Sequence, residues 1–130
     1  MAQTPSVLIV EDNERNRKLF RLVVQGMGLA TRLANDGVEG LREIEAERPD
    51  LILMDIQMPN MDGMKLIEHL QADAAMRTIP AIAVTSFAMP GDRERLLAAG
   101  FVDYLSKPVD TEAMQATIAK HLGIERDGSD

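Results

Sequence analysis

Cysteine and tryptophan are both absent from this chain of 130 residues, and aromatic residues make up only 3% of it. Without cysteine there are no disulfides and no thiolate metal sites, so a zinc site would need the two histidines together with carboxylates. One tyrosine and three phenylalanines are too few for a platform on which nucleic acid bases stack. These absences argue against a disulfide-stabilised protein, a zinc-thiolate protein and a base-stacking protein.

Basic residues are in the minority, because 14 Lys and Arg stand against 21 Asp and Glu, and the formal net charge is −7. Such a surface repels nucleic acid, whose binding requires Lys and Arg to neutralise phosphates. No apolar run approaches the roughly 20 residues that cross a bilayer, and the opening residues MAQTPS do not resemble a signal peptide. We therefore expect a cytoplasmic protein that binds another protein or a small ion, and neither nucleic acid nor a membrane.

Short apolar runs alternate with helical patterns along the whole chain. Five runs predict strands, at residues 7–10, 29–34, 51–54, 79–84 and 101–106. This alternation predicts an α/β protein whose parallel sheet is covered by helices on both faces. Because no linker or repeat interrupts the pattern, we expect one domain over residues 6–123, a disordered N-terminus at residues 1–5 and a polar tail at residues 124–130.

The helices are predicted from apolar spacing and from residues that begin or end helices. Gly28 and Gly123 are predicted to end the first and last helices. Asp36 with Glu39 three residues later resembles a capping box that begins the second helix. The sheet-facing positions are predicted to be Leu19, Phe20, Val23, Val24 and Met27 in the first helix, Val38, Leu41 and Ile44 in the second, Met64, Ile67 and Leu70 in the third, and Met114, Ile118 and Leu122 in the last.

Polar residues follow the carboxyl ends of the predicted strands, which is where open parallel sheets bind ligands. Glu11 and Asp12 follow the first strand, Asp55 the third, Thr85 the fourth and Lys107 the fifth. If the strand order is 2-1-3-4-5, three carboxylates converge beside a hydroxyl and an ammonium. Each residue taken alone has a structural explanation. Asp55 is explained by a turn or a helix cap, and Lys107 by a solvated position at the surface. Their joint occurrence at four strand ends favours a functional site.

The composition of this predicted site indicates its chemistry. One lysine does not neutralise three carboxylates, and crowded acids either share a proton or bind a cation. An oxygen-only ligand set completed by water suits Mg²⁺, and Thr85 and Lys107 are donors suited to phosphoryl oxygens. Because a carboxylate beside such a metal can act as the nucleophile in phosphoryl transfer, Asp55 is predicted to be the reacting group.

Four segments, VLIVEDN, LILMDIQMPNMDG, AVTSFA and DYLSKP, resemble in order and spacing the receiver domain of bacterial two-component response regulators, the CheY-like family. The resemblance covers nearly the whole chain and implies a flavodoxin-like, doubly wound (βα)5 sheet with strand order 2-1-3-4-5. The stretch at residues 84–109 is most similar to DivK-type single-domain regulators, although similar stretches occur in receivers attached to hybrid kinases.

The resemblance also implies roles for individual residues at the acidic end of the site. Asp55 would accept a phosphoryl group from the phosphohistidine of a sensor histidine kinase or of a histidine phosphotransfer protein. Asp12, Asp55 and the backbone carbonyl of Gln57 would hold Mg²⁺, and Glu11 would act on the ion through water.

Further residues match those that transmit the signal in members of this family. Thr85 and Lys107 match the switch hydroxyl and the phosphate-pairing lysine, and Tyr104 matches an aromatic residue that turns inward on activation. The family often has a cis peptide bond at the position of Lys107–Pro108. The resemblance implies that the face of helix 4, strand 5 and helix 5 binds a downstream protein.

Three other functions fit parts of the pattern. An aspartyl-phosphate phosphatase of the haloacid dehalogenase type needs a second acid two residues after its nucleophile, where this chain has Gln57. A flavodoxin needs a hydroxyl- and glycine-rich phosphate loop after its first strand, where this chain has EDNERN at residues 11–16. A phosphorylation-independent interaction module is opposed only by the complete reactive set. We predict a switch that catalyses only its own phosphorylation and dephosphorylation.

Overall fold

A computed structural model describes residues 4–86 and 90–124, which form a five-stranded sheet with helices on both faces. All strand pairs are parallel and the strand order is 2-1-3-4-5, so the predicted architecture is confirmed. In chain order the elements are β1 (Ser6–Val10), α1 (Glu14–Gln25), β2 (Ala30–Ala34), α2 (Gly37–Ala46), β3 (Leu51–Asp55), α3 (Gly63–Gln71), β4 (Ala81–Thr85), α4 (Asp92–Ala99), β5 (Asp103–Ser106) and α5 (Thr111–Leu122).

The three central strands β1, β3 and β4 are buried almost completely, which explains why they read as continuous apolar runs. Alternate residues of a strand point to opposite faces of the sheet, so each strand contributes to two core clusters. Leu8 and Met54 pack in the cluster under α2, α3 and α4. Val7 and Leu53 pack in the cluster under α1 and α5. The helices change face between β1 and β3, which places a crevice at the carboxyl ends of these two strands.

Polar side chains fix the start of four helices. The predicted capping role of Asp36 is confirmed, because its Oδ1 accepts a hydrogen bond from the Glu39 N–H at 2.9 Å. Glu39 returns a bond by accepting from the N–H of Asn35 at 3.0 Å. Asn13, Asp62 and Asp110 cap α1, α3 and α5 in the same way. Each such cap stabilises a helix by about 1 kcal/mol and defines where the preceding loop ends.

Three predictions about the first two helices are wrong. α1 ends at Gln25 rather than at Gly28, which instead lies in the following turn with φ +79°. Val38 is 41% exposed, although its apolar side chain was assigned to the sheet face. Gly40 lies on that face, where a Cβ would approach Val10 Cγ2 to 3.1 Å, whereas Gly37 packs closely against Met61 of the loop after β3. α2 packs so closely on β1 that a glycine occupies a position expected for a larger apolar residue. Leu19 of α1 is likewise 43% exposed.

The described ends of the chain contact the folded core. The Pro5 carbonyl accepts a hydrogen bond from the Ala30 N–H at 3.0 Å, and Ile124 packs against the cluster under α1 and α5. Residues 1–3 and 125–130, as well as residues 87–89 in the AVTSFA segment and beyond it, lie outside the described residues. The domain limits at residues 6 and 123 stay a prediction. None of the helices in the described part of the chain is long and apolar enough to cross a membrane.

Candidate functional site

The residues predicted from the strand ends meet at one edge of the sheet. Val10 at the end of β1 lies opposite Met54 in β3, so Glu11 and Asp12 follow at the level of Asp55. Asp55 in turn lies opposite Val84, the residue before Thr85. Lys107 directly follows β5, whose last residue pairs with Thr85. The parallel register therefore brings all four strand ends to one side of the molecule.

Glu11, Asp12 and Asp55 form an acidic cluster in which one carboxylate oxygen of each lies within 4.8 Å of the others. Asp55 is only 4% exposed and Glu11 only 1%, whereas Asp12 is open to solvent. Glu11 Oε2 accepts a hydrogen bond from the Asn13 N–H at 3.0 Å. Glu11 Oε1 is buried and, apart from an ion pair with Lys107, has no hydrogen bond among the described residues. The cluster thus presents oxygen atoms whose charge the protein does not fully compensate.

Lys107 supplies the positive charge beside this cluster. Its Nζ lies 3.2 Å from Glu11 Oε1 and 3.3 Å from Asp55 Oδ2, and its side chain is 20% exposed. The Lys107 N–H donates to the Thr85 carbonyl at 2.8 Å, which fixes the backbone from which the side chain extends. The Lys107–Pro108 peptide bond is cis, as the resemblance implies.

The charges of the site are unbalanced, and the pKa values reflect this. Burial and then the nearby Glu11 carboxylate raise the pKa of Asp55 to about 7, and Lys107 offsets only part of this effect. Burial by itself lowers the pKa of Lys107, but the Asp55 and Glu11 carboxylates outweigh it and hold the pKa above its ordinary value. A single ammonium is shared by two buried carboxylates, so Asp55 keeps a raised pKa despite the contact.

The loop after β3 folds back over Asp55. The Gln57 N–H donates to Asp55 Oδ1 at 3.3 Å, and the Gly63 N–H donates to the Ile56 carbonyl at 2.8 Å. A Cβ at Gly63 would lie 2.5 Å from the Asp55 carbonyl oxygen, which explains why this motif ends in glycine. An open cleft next to Asp55 is lined by Asp12, Ile56, Gln57, Met58, Pro59 and Asp62.

The two predicted switch residues lie on neighbouring strands. Thr85 is buried at the end of β4, and its carbonyl accepts a hydrogen bond from the Lys107 N–H. Tyr104 pairs with Ala83 in the β4–β5 register and packs half-buried in the cluster under α2, α3 and α4. Tyr104 therefore belongs to the core beside α4 rather than to the acidic cluster. The roles of both residues stay predictions.

The donor set of the acidic cluster fits a hard divalent cation. It consists of carboxylate oxygens, with the Gln57 backbone next to them, and one buried oxygen of Glu11 has no hydrogen bond among the described residues besides its ion pair with Lys107. Such oxygen-only surroundings with room for water are what Mg²⁺ prefers.

Two features that bear on the site were not predicted from the sequence. Arg17 Nη1 donates to the carbonyls of Glu11 and Asp12 at 2.9 and 3.1 Å, which holds the backbone of the acidic pair. Its position four residues after the helix cap Asn13 is the only sequence signal for this contact. On the α5 side, Asp103 Oδ2 lies 3.0 Å from His121 Nε2 and Asp103 Oδ1 accepts from the Tyr104 N–H at 2.9 Å.

Known proteins share both the sequence and the fold. Residues 7–119 match the family described as response regulator receiver domain. The polar-differentiation response regulator DivK of Brucella anthropi is 47% identical over 118 residues, which cover 91% of this chain and 96% of that protein. A putative response regulator from Chloroflexus aurantiacus has a TM-score of 0.88 at 26% identity, with 93% of this chain and 99% of the other covered.

A second solved structure bears on the acidic cluster. It is the receiver domain of a sensor histidine kinase from Pseudomonas aeruginosa, described with a magnesium ion coordinated in its active site cleft. It is 35% identical to this chain, with a TM-score of 0.85 and coverage of 93% of this chain and 99% of that domain.

Proposed function

Because the chain belongs to the response regulator receiver domain family, we propose that it is a phosphoacceptor switch of a two-component phosphorelay. Asp55 accepts the phosphoryl group from the phosphohistidine of a sensor histidine kinase or of a histidine phosphotransfer protein. One observation carries this proposal: Asp55 is a buried carboxylate at the strand edge, within 3.3 Å of Lys107 and clustered with Glu11 and Asp12.

In the proposed transfer a carboxylate oxygen of Asp55 attacks phosphorus and forms a P–O bond. The P–N bond to the donor imidazole breaks, and its electron pair returns to the ring. Asp55 has to be ionised for this attack, although burial and Glu11 raise its pKa to about 7. Lys107, 3.3 Å from Asp55, favours the ionised form, and in this proposal its ammonium pairs with the phosphoryl oxygens.

We propose Mg²⁺ as the cofactor, held by Asp12, Asp55 and the backbone carbonyl of Gln57, with Glu11 acting through water. When bound, Mg²⁺ supplies the positive charge that neutralises the carboxylates and the oxygens of the incoming phosphoryl group. The proposal is supported by the oxygen-only cluster and by the magnesium ion described for the Pseudomonas aeruginosa receiver.

The proposed signal leaves the site through Thr85 and Tyr104. The Thr85 hydroxyl moves to the phosphoryl oxygens, and Tyr104 turns into the space beside it, which biases the face of α4, β5 and α5 toward binding a protein partner. The likeness to DivK over most of its length supports a single-domain regulator, with polar differentiation as the controlled process. Under this proposal the protein turns over no separate substrate and catalyses only its own phosphorylation and dephosphorylation.

The test is the intact mass of the protein after incubation with acetyl phosphate, with and without Mg²⁺. We expect the wild type to gain one phosphate only with Mg²⁺, and Asp55→Asn to gain none. Asp62→Asn is the matched control, because Asp62 lines the same cleft but caps α3, a role that asparagine retains.

Phosphate uptake by Asp55→Asn at the wild-type yield would exclude Asp55 as the main acceptor. If the wild type takes up no phosphate from acetyl phosphate or from a phosphorylated histidine phosphotransfer protein, the phosphorylation-independent interaction module becomes the better explanation.

A further inference from the structure

The loop between β3 and α3 is tied to the start of α2 by two hydrogen bonds. The Gly37 N–H donates to the Met61 carbonyl at 3.1 Å. Asn60 Nδ2 donates to Asp36 Oδ2 at 2.6 Å, a bond between residues 24 positions apart. Asn60 is also the one non-glycine residue with a positive φ in the described chain, at 68°. Its side chain and its backbone conformation together form a clasp between the loop and α2.

The two carboxylate oxygens of Asp36 accept hydrogen bonds from different segments of the chain. Oδ1 accepts from the Glu39 N–H and caps α2, and Oδ2 accepts from Asn60. The Glu39 N–H, followed by the Asn60 amide, holds the pKa of Asp36 below its ordinary value. The carboxylate is therefore ionised at neutral pH, and its bond to Asn60 is charge-assisted.

The clasp holds the middle of a loop whose ends are fixed elsewhere. The Ile56 N–H donates to the Val84 carbonyl at 3.1 Å, and the Gly63 N–H closes the far end on the Ile56 carbonyl. Between these anchors Gln57 and Pro59 are exposed to solvent. The Gln57 N–H donates to Asp55 Oδ1 at 3.3 Å, and Met58 and Met61 pack against the core cluster under α2, α3 and α4. The bonds at Asn60 and Met61 add to these contacts and hold the exposed part of the loop backbone, where packing contributes little.

We infer that Asn60 and Asp36 are positioning residues, which hold the loop so that the backbone of Gln57 is ordered for Mg²⁺ before the ion binds. This inference rests on the proposed function, which assigns the Gln57 carbonyl to the ion. Without the clasp, the loop has to be ordered when the ion binds, and the cost of ordering lowers the affinity. Neither residue touches the reacting atoms, so the effect is on Mg²⁺ affinity and not on the chemical step at saturating Mg²⁺.

Two variants remove the hydrogen bond between Asn60 and Asp36 and leave the backbone bond between Gly37 and Met61 in place. Asn60→Gly keeps a residue suited to positive φ but lacks the amide. Asp36→Ser keeps a hydroxyl that caps α2 but lacks the second oxygen. Glu39→Ala is the control, because it removes the carboxylate that accepts from the Asn35 N–H and weakens the start of α2 without changing a residue of the loop.

The dissociation constant for Mg²⁺ is measured by isothermal titration calorimetry, and the rate of Asp55 phosphorylation by acetyl phosphate is measured at limiting and saturating Mg²⁺. We expect Asn60→Gly and Asp36→Ser each to weaken Mg²⁺ binding about three- to tenfold, with the double variant no weaker than the singles because one bond is shared. Their phosphorylation rates should return to the wild-type value at saturating Mg²⁺. Glu39→Ala should lower the melting temperature and leave the affinity unchanged.

Affinities of both clasp variants within about twofold of wild type would overturn the inference, as would an equal loss in Glu39→Ala. A wild type that binds no Mg²⁺ would overturn the proposed cofactor and this inference together. The two failures are distinguishable. Failure of this inference alone is seen as variants that bind Mg²⁺ like a wild type that binds it normally, whereas failure of the proposed cofactor is seen as no binding by the wild type.

Discussion

Asp55 lies in a place that disfavours its charge, and this is the main physical feature of the site at the scale of single residues. Burial and Glu11 both favour its protonated form, whereas Lys107 at 3.3 Å favours the carboxylate. The folded protein holds this proton more tightly than the unfolded chain does, because the pKa of about 7 is above that of a free carboxyl group. Asp55 therefore stabilises the fold at acidic pH, and this contribution is lost as the pH rises through about 7.

Asp55→Asn should accordingly stabilise the protein when Mg²⁺ is absent. Asparagine is nearly isosteric and removes the repulsion with Glu11, although it gives up the contact with Lys107. We expect the free energy of unfolding in urea with a chelator to increase by about 1–2 kcal/mol near pH 8, and by less near pH 5. Glu45→Gln, an equal change of charge at an exposed position of α2, is the control. A variant less stable than wild type near pH 8 would contradict this account.

At the scale of secondary-structure elements, the site depends on the short distance between the first residue of α3 and the end of β3. Gly63 is the first residue of α3, and the place of its missing Cβ is 2.5 Å from the Asp55 carbonyl oxygen and 2.8 Å from Ile56 Cα. Both neighbours are backbone atoms that flexible side-chain motion does not relieve. A side chain here would push the helix away from the strand that carries Asp55.

Gly63→Ala should destabilise the protein by about 1–3 kcal/mol, the range for overpacking a close contact. Urea unfolding measures this difference. Gly26→Ala is the matched control, because Gly26 has a right-handed helical φ of −62° and its nearest neighbours would lie 3.3 Å from a Cβ. Its stability should change by less than about 1 kcal/mol. If the two substitutions changed the free energy of unfolding equally, the backbone near Gly63 would accommodate a Cβ without loss of stability.

Sequence patterns were sufficient for the strands and for the meeting of their ends, because buried parallel strands are continuous apolar runs and parallel register aligns their ends. They were insufficient for the inner face of α2, where Gly40 packs against Val10 of β1 and Val38 is exposed. Apolar spacing does not count glycine as a buried residue, so the helix face was misplaced. Contacts between distant segments, such as Asn60 with Asp36, have no local signal at all.

The contact of Asp103 with His121 joins β5 to the last turn of α5 on the proposed partner-binding face. Burial acts to raise the pKa of Asp103, but hydrogen bonds from His121 and from the Tyr104 N–H, with the charges of His121 and Lys120, hold the pKa below its ordinary value. A carboxyl group with a lowered pKa stabilises the fold above its unfolded pKa of about 4, and this stabilisation is lost as the pH falls.

Asp103→Asn should lower the free energy of unfolding by about 1 kcal/mol near pH 6, the usual contribution of a partly buried hydrogen bond. The difference from wild type should shrink as the pH falls below about 4, because protonation then removes the same charge from the wild type. Urea unfolding at several pH values tests this, with the exposed Glu112→Gln of α5 as the control. A difference that is constant with pH would mean that the charge of Asp103 does not contribute.

At the scale of the whole molecule, the excess of 21 acidic over 14 basic residues favours any cation near the surface. Under the proposed function, added Mg²⁺ is expected to act in two ways, by screening the net charge of −7 and by binding the cluster of Glu11, Asp12 and Asp55. Screening depends on ionic strength, whereas site binding depends on the ligands. A comparison of Mg²⁺ with KCl, and of wild type with a variant of the cluster, separates the two effects on the melting temperature.

Mg²⁺ at about a hundred times its dissociation constant should stabilise the wild type by about 2.7 kcal/mol, because it binds the folded state and not the unfolded chain. The melting temperature should rise by several degrees, and KCl at equal ionic strength should produce a much smaller rise. Asp12→Asn removes an exposed member of the cluster and should abolish the Mg²⁺-specific part of the rise, whereas Asp62→Asn should retain it. If Asp12→Asn responds to Mg²⁺ as the wild type does, the stabilisation comes from the overall charge, and the acidic cluster does not bind the ion.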